Sequence, residues 1–352
     1  MARNIKDIKK KFNIIGNDPA LNKAVETACI IAQYDDLPVL VLGENGTGKE
    51  VFYKIIHACS KRSSKTPFAI NCSAEPAGLI HSNFFGHKKG SYTDASEDRE
   101  GYFSQYSNST IFLDEIGDMP LPMQAMLLRV LETGEYVPMG SNETKITHAR
   151  IVAATNVDLE QAIRKGRFRR DLYERIKGIT IKIPPLRERK SDIPELFNEF
   201  ALHYQEKFQT EDPVVLDEAA EKILINYSWP GNVRDLKTLV QNLTTLSPER
   251  VITPKILADF GNFDESNMPA TMKSDAYNEN FDANAMFTLI GKISARIAEL
   301  ENKVQYLTEM VNPAGAPIAS APKQLPPAGN NKHTLNLVDA GDYVEVDENP
   351  QQ

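Results

Sequence analysis

The chain has 352 residues, with 40 lysines and arginines against 48 acids and a net charge of −8. That length allows two domains and a tail, and the acidic balance excludes a protein held to nucleic acid chiefly by bulk charge. Three scattered cysteines, Cys29, Cys59 and Cys72, show no metal-binding spacing and fit a reducing compartment, and the six histidines form no metal-binding cluster.

Residues 1–13 form a basic arm with Lys6, Lys9, Lys10 and Lys11. No apolar stretch follows it, so it does not read as a secretory signal. No apolar run approaches membrane-spanning length, and a cytoplasmic protein is expected.

An apolar run, Val39–Leu42, leads into Gly43-Glu44-Asn45-Gly46-Thr47-Gly48-Lys49-Glu50 and then into the helix-like segment Val51–Cys59. Such a strand–loop–helix unit turns successive backbone N–H groups toward one point, where the helix N-terminus adds partial positive charge. A nucleoside triphosphate such as ATP fits that point, with Lys49 reaching the β- and γ-phosphates. Glu50 stands where a hydroxyl residue commonly holds Mg2+, so ligation by a hydroxyl there is excluded. For this motif alone, a glycine-rich turn with a solvated lysine is the plainer alternative.

Thr110–Glu115 reads as a buried strand ending in two carboxylates. Phosphoryl transfer uses such a pair, one for Mg2+ and its waters and one to orient the attacking water. Asp114 is assigned to the metal and Glu115 to the water. Further apolar runs at Phe68–Asn71, Ile151–Ala154 and Ile179–Ile183, with helical spacing at Met123–Glu132, extend the alternation. Residues 14–184 are therefore expected to form an α/β subdomain, a parallel sheet with helices on both faces. Both motifs would then face the crevice at the C-terminal ends of the strands.

From residue 185 to 262 the strand signals vanish. Helices are expected at Ile193–Phe208, Asp217–Asn226, Asn232–Ser247 and Pro254–Phe260, a small helical lid subdomain. Residues 263–284 read as a polar linker. Within 285–311, Met286, Ile290, Ile293, Ile297, Leu300, Val304, Leu307 and Val311 recur in 4-3 spacing. Branched residues at a favour a parallel two-stranded coiled coil with a second copy or a partner; a single helix docked on the body is the alternative. Residues 312–352, rich in Pro, Ala and Gly and then acidic, read as a disordered tail.

With these motifs in order, residues 12–260 resemble the central AAA+ domain of bacterial sigma-54-dependent transcriptional activators. The resemblance implies a ring, usually a hexamer, that hydrolyses ATP and remodels sigma-54 RNA polymerase. It implies that Ile15-Gly16 lines the adenine pocket and that Asn71 restrains the catalytic Glu115, although an amide there also suits a strand-end cap. It implies that Asn156 is the first sensor and that Arg234, in Trp229-Pro230-Gly231-Asn232-Val233-Arg234, is the second, contacting nucleotide from the lid. Arg169 and Arg175 fall at the two arginine-finger positions, reaching a neighbour's ATP; salt bridges on a surface helix are the alternative reading of that charged stretch. Tyr92 and Thr93 fall in the loop that touches sigma-54.

That loop departs from the family's Gly-Ala-Phe-Thr-Gly-Ala pattern, reading Gly90-Ser91-Tyr92-Thr93-Asp94-Ala95. Asp94 in place of glycine adds charge and removes freedom at positive φ. Only about a dozen residues precede the ATPase region, and no helix-turn-helix pattern follows Asn262, so direct sequence-specific DNA binding is not expected. The expected function is an ATP-hydrolysing activator of sigma-54-dependent transcription. The alternatives are an AAA+ ATPase remodelling a different client, a regulatory partner co-assembling with full-length activators, and a nucleotide-binding scaffold.

Overall fold

The computed structural model describes residues 5–76, 78–92 and 95–260. The expected linker, heptad segment and tail, with Thr93 and Asp94 of the contact loop, lie outside the described residues. Among the described residues no helix is long and apolar enough to cross a membrane.

Five parallel strands form the central sheet: β1 (Val39–Leu42), β2 (Phe68–Asn71), β3 (Thr110–Asp114), β4 (Arg150–Thr155) and β5 (Ile179–Lys182), in the order β2-β3-β4-β1-β5. β1 and β2 occupy the ranges read from the sequence; β4 gains a residue at each end, while β3 stops at Asp114 and β5 at Lys182, each one residue short of the expected end. Period-two alternation sends Leu40, Ile111, Leu113, Ile151 and Ala153 into one apolar layer. Val39, Val41, Phe112, Val152 and Ala154 enter the other. Both faces are covered, as the apolar strands require.

The helices of this subdomain are α1 (Ile5–Lys11), α2 (Pro19–Ile31), α3 (Lys49–Cys59), α4 (Ile80–Phe85), α5 (Tyr102–Gln105), α6 (Leu121–Thr133), α7 (Leu159–Arg164) and α8 (Arg170–Ile176). α2 starts cleanly because the Asp18 carboxylate accepts from the backbone N–H of Ala20 and Leu21, with Pro19 behind it. Its C-terminal carbonyls, Ile31 and Ala32, are capped by the buried guanidinium of Arg150 at 2.8 and 3.1 Å. Burial pulls that guanidinium down to about 10, so it remains charged at neutral pH.

Between α4 and α5 the chain makes an excursion closed at its base by antiparallel pairing of Gly86–His87 with Arg99–Glu100. The base tolerates no side chain at Gly101, whose Cβ would stand 2.3 Å from the Gly86 nitrogen. This excursion carries Tyr92.

The lid comprises α9 (Asp192–Phe208), α10 (Glu218–Asn226), α11 (Asn232–Leu246) and α12 (Pro254–Phe260) around its own core, with Phe197, Trp229, Leu236 and Val240 buried at its centre. Trp229 Nε1 donates to the Leu224 carbonyl at 2.8 Å, which satisfies the only polar atom of the ring.

One buried titratable group ties the P-loop helix to the sheet. His57, in the last turn of α3, has Nε2 2.8 Å from the Lys65 carbonyl and Nδ1 3.0 Å from Thr110 Oγ1. A carbonyl only accepts, so Nε2 carries the proton and Nδ1 accepts from the hydroxyl. Burial, with a smaller push from Arg150, holds the imidazole below its ordinary range near 6.5. The unfolded chain therefore binds the extra proton more readily. The contribution is complete above that range and is lost as pH falls through it toward the folded value. Melting temperature should fall between about pH 7.5 and about pH 5.5 more in the wild type than in His57→Gln. Parallel curves for the two proteins would remove His57 as the cause.

Candidate functional site

The C-terminal ends of β1, β3 and β4 meet at a cleft of about 760 Å³, large enough for a mononucleotide. Its floor is the loop after β1. Gly46 and Gly48 take φ of +76° and +98°, a region that glycine occupies at little cost. Lys49 opens α3 and is only 7% exposed. Its ammonium lies 3.1 Å from Glu115 Oε1, 3.2 Å from the Gly43 carbonyl and 3.4 Å from Asn45 Oδ1.

Asp114 ends β3 and Glu115 follows it. Burial, and then the adjacent Glu115 charge, push the Asp114 carboxyl above its usual range; Lys49 opposes this. Glu115 sits at φ +49°, a left-handed conformation uncommon for a non-glycine residue and frequent at functional sites. Its second oxygen faces the Asn156 backbone N–H at 3.4 Å. Asn156 follows β4 and lines the same cleft.

A hard divalent cation fits beside Asp114: the carboxyl is destabilised by burial and by a neighbouring acid, and Lys49 is engaged by Glu115. Among the described residues no group of three or more His, Cys, Asp or Glu side chains could hold a metal. Most ligands would have to be phosphate oxygens and water, the usual arrangement for Mg2+. Thr47 Oγ1 donates to the Glu44 carbonyl at 2.7 Å, and Glu50 pairs with Lys54 at 2.8 Å.

The lid is docked directly on the phosphate loop. Asn232 Nδ2 donates to Glu44 Oε2 at 3.1 Å and to the Asn45 carbonyl at 3.0 Å, while its Oδ1 accepts from Leu186 N at 2.7 Å. Val233 N donates to the Gly46 carbonyl at 3.1 Å. Arg187 grips the Glu44 carboxylate through two nitrogens at 2.7 and 2.5 Å, and this pairing holds the Glu44 carboxyl below its usual range. Glu44, grouped from sequence with the nucleotide-binding residues, therefore points at the lid and the subdomain junction.

The other assigned residues separate into two groups. Ile15, Asn71 and Arg234 line the cleft with the P-loop residues Asn45–Glu50. Gly16 packs on Asp192, where a Cβ would overlap the carboxylate. Asn71 is not brought onto Glu115: its amide oxygen accepts from Ser73 N and Ser73 Oγ at 2.9 and 2.8 Å. The strand-end cap is what this conformation contains. Arg169 and Arg175 lie outside the cleft and are exposed. Arg169 pairs with Asp171 at 2.6 Å, and Arg175 donates twice to the Leu131 carbonyl, at 3.1 and 2.8 Å. Tyr92 is half-buried, its ring edge-on to buried His87 with centroids 5.0 Å apart.

Sequence reasoning missed two cleft cations, Lys237 and Arg189. Lys237 was reachable: it lies three residues after Arg234 on the same helix, hence on the same face. Nothing local marks Arg189.

Residues 14–182 match the sigma-54 interaction domain and residues 187–272 match an AAA+ ATPase lid domain. The Nif-specific regulatory protein of Azotobacter vinelandii is 42% identical over 253 residues, covering 72% of this chain and 48% of that protein. The DNA-binding transcriptional regulator NtrC of Rhizobium meliloti is 41% identical over 251 residues, covering 71% and 51%. The Nif-specific regulatory protein of Rhizobium leguminosarum bv. trifolii is 42% identical over 258 residues, covering 71% and 70%. The chain thus spans about half the length of the first two relatives. Among solved structures, NtrX from Brucella abortus in complex with ADP shares the fold, with a TM-score of 0.64 at 24% identity over 83% of this chain and 62% of that one. By both domains and by these relatives, the chain belongs to the family of sigma-54-dependent AAA+ transcriptional activators.

Proposed function

We propose that this chain hydrolyses ATP in a ring of like subunits and uses the cycle to remodel sigma-54 RNA polymerase. One observation carries the reading: a cleft that gathers Lys49, Asp114, Glu115, Asn156 and Arg234, while Arg169 and Arg175 stand exposed elsewhere. Such a site holds the nucleotide within one subunit and draws its remaining positive charge from the next.

The Lys49–Glu115 pair gives the order of events. Arriving phosphates outcompete the carboxylate for the ammonium, because they bring more negative charge and the loop N–H groups with it. Glu115 is then free to accept a hydrogen bond from the attacking water and polarise it. Asn156, already beside Glu115, is placed to read the γ-phosphate or that water. Asp114 would hold Mg2+, which neutralises charge on the phosphates when bound. Arg234 reaches the nucleotide from the lid, so loss of the γ-phosphate alters the lid's contacts. Cytoplasmic action follows from the proposed partner, and Tyr92 with Thr93 supplies the surface that partner meets.

Lys49→Ala should abolish nucleotide binding. Glu115→Gln should bind ATP at least as well as the wild type, since the competing carboxylate charge is gone. Its turnover should fall roughly 10²–10⁴-fold, the usual worth of a positioned base. Wild-type turnover in Glu115→Gln would sink the assignment.

Arg169→Ala and Arg175→Ala should each lower turnover, by up to ~10³-fold, with ATP affinity nearly unchanged. Mixing either with Lys49→Ala subunits should restore part of the activity, because one partner supplies the pocket and the other the arginine. No recovery at any mixing ratio would argue that the arginines act within their own subunit or only in the fold.

Capture of purified sigma-54 in the presence of ADP and aluminium fluoride tests the partner. The wild type should bind only with the transition-state mimic, and Tyr92→Ala should keep ATPase activity but lose capture. An active ATPase that never captures sigma-54 would transfer the reading to a different protein client.

A further inference from the structure

The cleft has two unlike ends. Lys49, Asp114 and Glu115 mark the phosphate end. The other end is apolar, walled by Ile14, Ile15, Leu21, Leu196 and Phe200. Arg189, which also lines the cleft, is 3% exposed. Among the described residues nothing accepts a hydrogen bond from its Nε.

A buried Nε–H left without an acceptor is costly and uncommon, and Oδ2 of Asp192 is likewise buried without a donor. Here the fold goes to some length to keep Arg189 in place. The Arg189 amide donates to the Leu186 carbonyl at 3.0 Å, and its own carbonyl accepts from Asp192 N at 3.0 Å. Asp192 Oδ1 in turn accepts from Asn17 N at 2.7 Å and Asp18 N at 3.1 Å. The turn bearing Arg189 is thereby clamped to the segment that carries Ile15 into the cleft. Asp192 and Asp18 favour the charged form of Arg189 through space, against the larger effect of burial. They stabilise the charge without accepting a hydrogen bond from Nε.

We propose that Arg189 reads the nucleoside end of the bound nucleotide, its guanidinium donating to an acceptor on the base edge or the ribose. The inference rests on the nucleotide reading of the cleft and adds a specificity-determining residue to it. The phosphates have their own cation, Lys49, and their own backbone N–H groups. A cation that lines the cleft with Ile15, Leu196 and Phe200 is suited to the uncharged part of the ligand, whose acceptors could take the hydrogen bond its Nε lacks. An arginine is suited to this because its planar fork both donates and stacks on a ring.

The test is calorimetric titration of the full chain, as wild type, Arg189→Met and Arg189→Lys, with ADP, 2′-deoxyADP and inorganic tripolyphosphate. Arg189→Met should weaken ADP binding by about tenfold or more, the worth of a charge-assisted hydrogen bond. Tripolyphosphate affinity should not change. Arg189→Lys should recover part of the loss. If the Met substitution weakens 2′-deoxyADP less than ADP, the acceptor is the ribose 2′-hydroxyl; equal weakening places it elsewhere on the nucleoside, the base edge included. ADP binding to Arg189→Met at wild-type affinity overturns the proposal, as does an equal loss for ADP and tripolyphosphate. Failure of both variants to give a cooperative melt makes Arg189 a residue of the fold and also overturns it. If the wild type binds no ADP, the nucleotide reading itself falls, an outcome distinct from the others.

Discussion

The ammonium of Lys49 is buried at the mouth of a helix, and every other feature of the site follows from how that charge is neutralised. A desolvated cation needs a counter-charge close by. In this structure the counter-charge is Glu115, 3.1 Å away on the next motif of the sheet. The pair joins the end of β1 to the end of β3 across β4, so it also fixes the mutual position of the two loops. On the proposed reading it occupies the carboxylate that hydrolysis needs, so the resting protein is held inactive by the same contact that holds it together. The left-handed backbone at Glu115 belongs to this arrangement, because it turns the side chain back over the P-loop.

The P-loop has a second allegiance on its outer side. Glu44 binds Arg187 and Asn232, and the carbonyls of Asn45 and Gly46 accept from Asn232 and Val233 at the start of α11. A Cβ on Gly46 would lie 2.0 Å from the Gly231 carbonyl, so loop and lid are in backbone contact. A loop that wraps phosphate on one face and carries the lid on the other cannot adjust to one without affecting the other. Differential contact of this kind is what a ligand needs in order to shift a conformational equilibrium.

The sheet was legible because its signals are local. Period-two runs, a glycine loop and two acids at a strand end occupy a few residues each, and they define both the layers and the cleft. The finger arginines, Arg169 and Arg175, were assigned only through the family resemblance, since their own stretch reads equally well as a salt-bridged surface helix, and Arg169 does pair with Asp171 here. What escaped were long-range partnerships. Glu44 meets Asn232 across 188 positions, and Arg150 caps α2 from 119 positions away. Asn71 is expected to restrain Glu115 through its amide, but that side chain is held at its oxygen by Ser73, two positions on, and makes no hydrogen bond to Glu115. Arg189 escaped because its distinguishing property is a buried Nε without an acceptor, which no sequence pattern records.

Arg175 and the base of the Tyr92 excursion are linked by contacts already in place. Arg175 is bonded to the carbonyl of Leu131, in the last turns of α6. α6 runs into a hairpin, Glu135–Tyr136 paired with Lys145–Ile146. The tip of that hairpin, at Met139, exchanges backbone hydrogen bonds with Gly86 and Lys88 at the base of the Tyr92 excursion, at 3.0 and 2.9 Å. On the proposed reading, Arg175 must leave the Leu131 carbonyl to reach a neighbour's phosphates. That exchange removes two donors from the end of α6, on the element that holds the excursion's base. Tyr92 stands edge-on to His87 at that base, a ring contact worth about 1 kcal/mol, and its carbonyl accepts from Ala95 N at 3.0 Å. The free energy for a change at Tyr92 would come from the arginine's contact with the neighbour's phosphates, and the two hydrogen bonds given up at Leu131 count against it.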